Sequence, residues 1–571
     1  MVYDEKIWIK SYDEHVKPSL EYPKKPLGKL FDESMLRFPD QPVCWMMKRE
    51  ISFKELREYI HRFATFLQQN GLKKGDRVAI NLPNCPQYMI AHFGTLLAGG
   101  AASGCSPLLS ADEIIYQIND SEAKFLVTLD AIYQKILKKE GVLYKVPLLE
   151  TIITTNVSEY MGFSKIIVFL GKLLGKIPKG KVKPHPGKNV VQFKEVMLTE
   201  PDVKEVSIEV KNDLALLQYT GGTTGRPKGT ELTHANIISN LVQIIAWLDI
   251  APGEGTAMSA FPMFHLAGLI FCMATLYTSS PQIIIVDPRN TDHFIDEWMD
   301  KKPVLILNVP TLYLMLKDNP KHKRILKETL DHIDVYISGA APFPAESIRA
   351  FEEAFLAEQK VLEMYGLTET SPVLCANPRF GTKKIGTVGL PFPDTELRLV
   401  DIDSGELVEI GQPGEIICKG LQVTRGYYKK PEANAKTIID GWLHTGDVGV
   451  MDENGYIKIV DRIKDMLIVS GYKVYSVHVE DILVKHPDIE IAAIIGLKDP
   501  NRPGSEIVKA VIQLEEGTSA TEEVKENIKA YAKESLSKYE NPKIWEFREE
   551  LPLTLVGKVL KRELREEAQK L

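Results

Sequence analysis

Tyr219-Thr-Gly-Gly-Thr-Thr-Gly-Arg-Pro-Lys-Gly229 packs four glycines and three threonines into the ten residues after its tyrosine. The apolar run 214–219 leads into it and reads as a buried strand. Beyond it, Thr233 stands where it can cap a helix whose apolar residues Ile237, Leu241, Ile244 and Leu248 recur at helical spacing. The expectation is a strand, a Gly/Thr loop and a helix. Glycine lets backbone amides approach an anion, threonine hydroxyls add donors, and Arg226 and Lys228 add positive charge, so the stretch reads as a phosphate cradle. A mobile surface turn is the plainer alternative. The common nucleotide loop, G-x-x-x-x-G-K-[ST], is not met, because Lys228 lies between Pro227 and Gly229; this argues against a P-loop kinase or GTPase.

A chain of 571 residues exceeds what one core usually serves, so at least two domains are expected. Its 44% hydrophobic and 26% charged residues are ordinary for a globular protein, and a net charge of −7 argues against general nucleic-acid binding. Six cysteines are scattered without a C-x-x-C pair, which suggests buried reduced thiols rather than a metal cluster or disulfide framework. Residues 1–22 are too charged for a signal peptide, and no apolar run is long enough to span a bilayer, so a cytoplasmic location is expected.

Between 27 and 130, helical and strand-like patterns alternate: helix 53–70 with Leu56, Ile60, Phe63 and Leu67 on one face, strand 77–82, helices 86–99 and 113–119, strand 125–129. Such alternation implies a parallel sheet. Strands are also read at 304–307 and 335–338. Frequent turns from 396 to 456 suggest a small β subdomain. Residues 466–571 read as a compact α+β domain, with strands 491–497 and 507–514 and a capping box of Ser519 and Glu522 opening a helix. The segment 161–194 stands apart, with eight lysines and no acidic residue around a short apolar stretch. Within it, 161–188 is a candidate for peripheral contact with an anionic membrane surface. The alternative is a surface insertion that packs its apolar side on the domain.

Further motifs follow in order. Phe261-Pro-Met-Phe-His-Leu-Ala-Gly268 places a histidine before an apolar run; alone it reads as a core residue. Ser338-Gly-Ala-Ala-Pro342 offers small residues past a strand, room for a flat ring or for tight packing. In Glu363-Met-Tyr-Gly-Leu-Thr-Glu-Thr370, Tyr365 presents an aromatic face, Thr368 a hydroxyl and Glu369 a hard oxygen suited to Mg²⁺. Trp442-Leu-His-Thr-Gly-Asp447 puts a carboxylate after a turn, where it can accept from ribose hydroxyls. Asp461-Arg-Ile-Lys-Asp465 reads as a linker, and Pro552-Leu-Thr-Leu-Val-Gly-Lys558 sits in a basic tail.

Together these stretches resemble the adenylate-forming enzymes: acyl-CoA synthetases, aryl-CoA ligases, luciferases and peptide-synthetase adenylation domains. The resemblance covers about 25–571. It implies an α/β fold: a large N-terminal domain of parallel-type sheets with helices and a small β subdomain (1–461), a hinge (462–465), and a smaller mobile C-terminal α+β domain (466–571). It implies ATP, Mg²⁺ and CoA, with a carboxylic acid converted to acyl-adenylate and then to acyl-CoA. Nucleotide contacts would come from Thr220, Gly221, Gly222, Thr223, Thr224, Gly225, Lys228, Gly339, Ala340, Tyr365, Gly366, Thr368, Asp447 and Arg462. Thr220 and Glu369 would hold the metal. Lys558, Glu369 and Thr220 would be catalytic, and His265, Gly268 and Leu269 would line the acyl pocket. Lys464 occupies the hinge position, where members of the family carry Asp or Lys. Val556 stands where the family usually has Ser, at a position with no assigned role. A homodimer is a further expectation. Transfer to a carrier protein is less expected than transfer to free CoA, since thirteen residues follow Lys558. The apolar stretch 266–276 and the basic segment tilt the acid towards a medium or long fatty chain, with an aryl acid as the alternative. A non-catalytic nucleotide-binding protein is disfavoured by the presence of Thr220, Glu369, Asp447 and Lys558 together.

Overall fold

The computed structural model describes residues 3–137, 141–220, 226–470, 472–500, 502, 504–515, 517–553 and 559–568. Two mixed sheets build the large domain. The first runs Asn189–Gln192, Thr151–Thr155, Phe125–Leu129, Arg77–Asn81, Ala101–Gly104, β1 (Leu214–Thr220) and β2 (Lys228–Thr233), parallel except for the last pair. The second has nine strands. At its centre Val361–Gly366, Val335–Gly339, Leu305–Asn308, Ala257–Ser259, Gln282–Ile284 and Pro42–Met46 lie parallel, and antiparallel strands close both edges.

One core draws on both sheets. Helix Pro86–Leu97 is buried on every side, as expected of a helix apolar all round. Helix Phe53–Gln69 opens on a capping box: the Ser52 Oγ accepts from the Glu55 N–H (3.1 Å) and the Glu55 carboxylate accepts from the Ser52 N–H (3.0 Å).

The Gly/Thr stretch departs from the expected strand, loop and helix. β1 and β2 form an antiparallel hairpin, with Tyr219 opposite Gly229 and Thr220 opposite Lys228. Helix α1 (His234–Leu248) begins only at the far end of β2, where the Thr233 hydroxyl accepts from the Asn236 N–H at 3.2 Å. Thr233 is the predicted cap, but a second strand, and not the loop itself, leads into the helix. Gly221, Gly222, Thr223, Thr224 and Gly225 lie outside the described residues.

The small β subdomain is a sheet ordered Glu396–Val400, Gly414–Lys419, Trp442–Met451 and Ile438–Ile439, with Ile457–Arg462 paired to the long strand. From Leu467 onward the chain buries two cores of its own, around the sheet Ile489–Lys498, Glu506–Leu514 and Ile544–Arg548. The cap of helix Glu522–Ser535 is Thr521, whose hydroxyl accepts from the Val524 N–H, and not Ser519 with Glu522. Either hydroxyl precedes the same apolar phase of Val524 and Ile528, so periodicity alone does not choose between them.

Residues Lys165–Leu173 form a helix with no buried side chain, so this part of 161–194 does not pack its apolar side on the domain, whereas Met161 and Val182 pack against the cores. All six cysteines are buried and unpaired.

Candidate functional site

A cleft of about 2190 Å³ opens at the carboxyl ends of the central parallel strands, between the large domain and the C-terminal domain. Ligands in open α/β sheets bind in this place. The strand Val335–Gly339 delivers Ser338, Gly339 and Ala340 to the cleft wall; Ala340 holds a left-handed φ of 68°. The neighbouring Val361–Gly366 delivers Glu363, Tyr365 and Gly366. A side chain at Gly366 would meet the Pro372 carbonyl oxygen at 1.8 Å, so glycine is required there.

Asp447 is buried at the cleft floor. One carboxylate oxygen accepts from the Tyr365 hydroxyl (2.7 Å) and the other pairs with Arg462 Nε (2.9 Å). Burial, followed by the Asp447 charge, pushes the Tyr365 phenol well above its usual range, and Asp447 holds Arg462 firmly charged. A carboxylate has about four acceptor directions, so Asp447 keeps capacity for ribose hydroxyls beyond these two bonds.

The turn Thr368–Thr370 packs against both strands of the hairpin. Glu369 is buried, and its Oε1 accepts from the Tyr427 hydroxyl at 2.6 Å. Tyr427 pairs as a bridge with Thr230 of β2, and its ring lies 4.3 Å from the Lys228 ammonium. This tyrosine joins Glu369, an expected metal ligand, to Lys228, an expected nucleotide contact, and was not singled out in the sequence. The signal available was Arg425-Gly-Tyr-Tyr-Lys-Lys430, a turn whose bond to Glu369 depends on a contact 58 residues away.

No group of three or more His, Cys, Asp or Glu gathers among the described residues as a metal cage. Mg²⁺ keeps several waters and takes one or two protein oxygens beside substrate phosphates, and the donor set of Glu369 and Thr220 fits that demand.

One arm of the cleft is lined mostly by apolar residues. It runs between α1 and helix α2 (Leu266–Tyr277) on one side and the nine-stranded sheet on the other. His265 caps α2, its Nδ1 accepting from the Ala267 N–H at 3.3 Å, and also lines the arm. Ala267, Ile270, Phe271, Ala274 and Thr278 continue that wall. Gly268 and Leu269, expected in the acyl pocket, do not line it. Helical spacing puts 267, 270, 271 and 274 on one face and turns 268 and 269 away from it, while His265, the cap, lies outside the helical phase. A Cβ at Gly268 would meet the Pro262 carbonyl oxygen at 2.3 Å, which explains the glycine by packing.

Lys464 is held below the usual lysine range, first by burial and then by Arg462. Lys558 lies outside the described residues, and the described residues on either side of 554–558 meet each other. Leu553 bridges Val559, and the Leu560 N–H donates to the Pro552 carbonyl at 2.8 Å. Lys561 pairs with Glu480 (2.6 Å) and donates to Ser476 Oγ (2.8 Å), and Arg565 pairs with Asp465 beside the hinge position (2.6 Å). Residues 559–562 line the cleft.

A family model of AMP-binding enzymes matches residues 31–428, and that of their C-terminal domain matches 478–558. This chain belongs to the AMP-binding enzyme family. A long-chain-fatty-acid–CoA ligase of Bacillus subtilis is 37% identical, covering 99% of this chain and 98% of its own. A ligase of the same name from Escherichia coli O6:H1 is 35% identical, with 99% and 98% covered. A feruloyl-CoA synthase of Amycolatopsis is 31% identical over 90% of this chain and 93% of its own. Among solved structures, ATP-bound MatB of Rhodopseudomonas palustris aligns with a TM-score of 0.79 at 27% identity, covering 95% of this chain and 99% of its own. An anthranilate CoA ligase with anthranoyl-AMP aligns at 0.82 and 23% identity, covering 96% and 98%, a likeness of fold. With these full-length relatives, the chain is an AMP-forming acid–thiol ligase that uses ATP, Mg²⁺ and CoA.

Proposed function

We propose that this chain activates a long-chain fatty acid, forming acyl-adenylate and pyrophosphate from ATP, and then passes the acyl group to the thiol of CoA with release of AMP. The apolar arm along α2 carries this choice of acid. From the cap His265 to Thr278 its wall runs along the helix for about 20 Å, at about 1.5 Å per residue. C–C bonds of about 1.5 Å advance an extended chain by roughly 1.25 Å per carbon, so the arm matches roughly sixteen carbons. An aryl acid leaves most of it unfilled.

The carboxylate is itself the nucleophile, and attack on the α-phosphate needs no activating base. The step needs stabilisation of charge growing on phosphate oxygens. In this reading Thr220, the loop amides of 221–225, Lys228 and Lys558 supply donors and positive charge. Glu369 and Thr220 hold Mg²⁺, which when bound neutralises phosphate charge. Tyr365, Gly339 and Ala340 flank the adenine, and Asp447 and Arg462 take the ribose. Because the thiol must approach where Lys558 had been, the C-terminal domain (466–571) turns about the hinge 462–465 between the two steps.

The proposal includes peripheral contact of 161–188 with a membrane, where a poorly soluble acid is concentrated, and assembly as a homodimer. No helix among the described residues is long and apolar enough to cross a bilayer. The test is ATP–pyrophosphate exchange over acids from acetate to oleate and cinnamate, followed by CoA addition. Ala274→Trp, which fills the arm partway, should abolish exchange with oleate and preserve it with short acids. A preference for cinnamate, or undiminished oleate exchange in that variant, overturns the choice of acid.

A further inference from the structure

Ile166, Phe169, Leu170 and Leu173 recur at helical spacing on one face of the helix Lys165–Leu173, with Ile167 and Leu174 beside them. All six are exposed, from 47% at Leu170 to 72% at Ile166. Single exposed apolar residues need no explanation, but a contiguous set marks a surface that meets something.

The helix is a built element on a fixed mount. Ser164 caps it, accepting from the Ile167 N–H at 3.4 Å. The Ile177 N–H donates to the Gly171 carbonyl at 3.1 Å and folds the following turn back onto the helix. At one end the Gly162 N–H donates to the Met47 carbonyl (2.9 Å), and the Lys48 ammonium sits 5.8 Å from the Phe163 ring. At the other, Asn156 Nδ2 donates to the Pro178 carbonyl (2.8 Å) and the Lys181 N–H to Gln134 Oε1 (2.6 Å).

Charge selects the occupant. Lys165 and Lys172, seven residues apart, lie along the edge of the apolar face, and Lys176, Lys179, Lys181 and Lys183 follow in the turn. No acidic residue occurs from 161 to 194. The nearest one before it, Glu159, is directed to Thr155, whose hydroxyl donates to it at 2.9 Å. A second copy of the chain seated here would face like charge with like charge. A bilayer with anionic headgroups satisfies both halves of the pattern.

We propose that the helix Lys165–Leu173 is an interfacial anchor: it lies in the headgroup layer of an anionic membrane, with its apolar face among the acyl chains and its flanking lysines on lipid phosphates. This deepens the membrane contact proposed above and is independent of which acid is activated.

The full chain is sedimented with vesicles of phosphatidylcholine alone and of phosphatidylcholine mixed with phosphatidylglycerol. Wild type should bind the mixed vesicles, weakly bind the neutral ones, and release as salt is raised. Replacing Lys172, Lys176 and Lys179 by Gln should weaken binding about 100-fold, at about five-fold per lysine. Phe169→Asp with Leu173→Asp should abolish it, while pyrophosphate exchange with a short soluble acid is unchanged. In Phe169→Trp the emission should shift to the blue on mixed vesicles only. Undiminished binding of the double Asp variant overturns the anchor and leaves the membrane contact standing. Failure of wild type to bind either vesicle overturns both and leaves the ligase reading intact. Equal binding to both vesicles overturns the lipid choice. A wild-type dimer that the double Asp variant converts to monomer overturns the anchor in favour of self-association.

Discussion

Tyr427→Phe removes a single oxygen from the candidate site. The ring stays, so the Lys228 ammonium keeps the aromatic face it meets at 4.3 Å, and the bridge to Thr230 is untouched. What is lost is the 2.6 Å bond from the hydroxyl to Glu369 Oε1. Hydrogen bonds to charged groups contribute about 1.5–3 kcal/mol. At about 1.4 kcal/mol per factor of ten, the ceiling is roughly a hundredfold in rate. Bound nucleotide recovers part of the lost positioning, so the expected fall in kcat/KM for Mg-ATP is about tenfold. Burial, with Glu369 second, keeps the phenol well above its ordinary pKa. It therefore remains a donor from acid to mildly alkaline pH, and the ratio of variant to wild type should not vary with pH. The assay is ATP–pyrophosphate exchange at graded Mg²⁺, with thioester formation from preformed acyl-adenylate as control. The variant should need more Mg²⁺ and retain the second half-reaction. Exchange at the wild-type rate with unchanged Mg²⁺ dependence refutes the assignment of Tyr427 as the group that positions Glu369. Equal loss of both half-reactions points to general damage instead.

Lys558→Ala should slow adenylation by about 10²–10³-fold, the scale of one preorganised donor, and spare thioester formation from acyl-adenylate; an equal fall in both steps counts against its role. Lys464→Pro should stall the thioester step while pyrophosphate exchange continues, and unchanged acyl-CoA formation in single-turnover experiments speaks against rotation at the hinge. Glu363 faces the cleft with its carboxyl pushed up to about 8, first by burial, with the Gly386 N–H opposing and Asp481 adding to the rise. A folded pKa above the unfolded value gives stability that is complete below about pH 4.5 and is lost as pH climbs to about 8. The melting temperature of Glu363→Gln relative to wild type should thus rise between those limits and level off above them; a flat difference would show that Glu363 ionises normally.

Much of this site was legible because it is written in short contiguous strings. Tyr365, Glu369, Asp447 and Arg462 were marked by their own motifs, and the structure gathers them around one cleft. What sequence could not supply was pairing. The run from Leu214 looks the same whether a helix or a second strand follows the loop, and only cross-strand bonds from Tyr219 to Gly229 decide for the hairpin. Tyr427 stayed hidden for the same reason, since its partners Glu369, Thr230 and Lys228 are remote in the chain. Gly268 and Leu269 stand close to His265 in the chain, but the phase of the helix directs Ala267, Ile270 and Phe271 into the arm.

The six buried cysteines all precede residue 420, and the C-terminal domain has none. Burial raises Cys85, Cys105 and Cys272 to about 12 and lifts the others further, so in the native fold almost no thiolate is offered to a reagent. An alkylating dye added to the purified chain is therefore a clock for the opening of the large domain alone. Swinging or melting of the tail domain leaves it silent, and the first label taken up dates the moment the main core admits solvent.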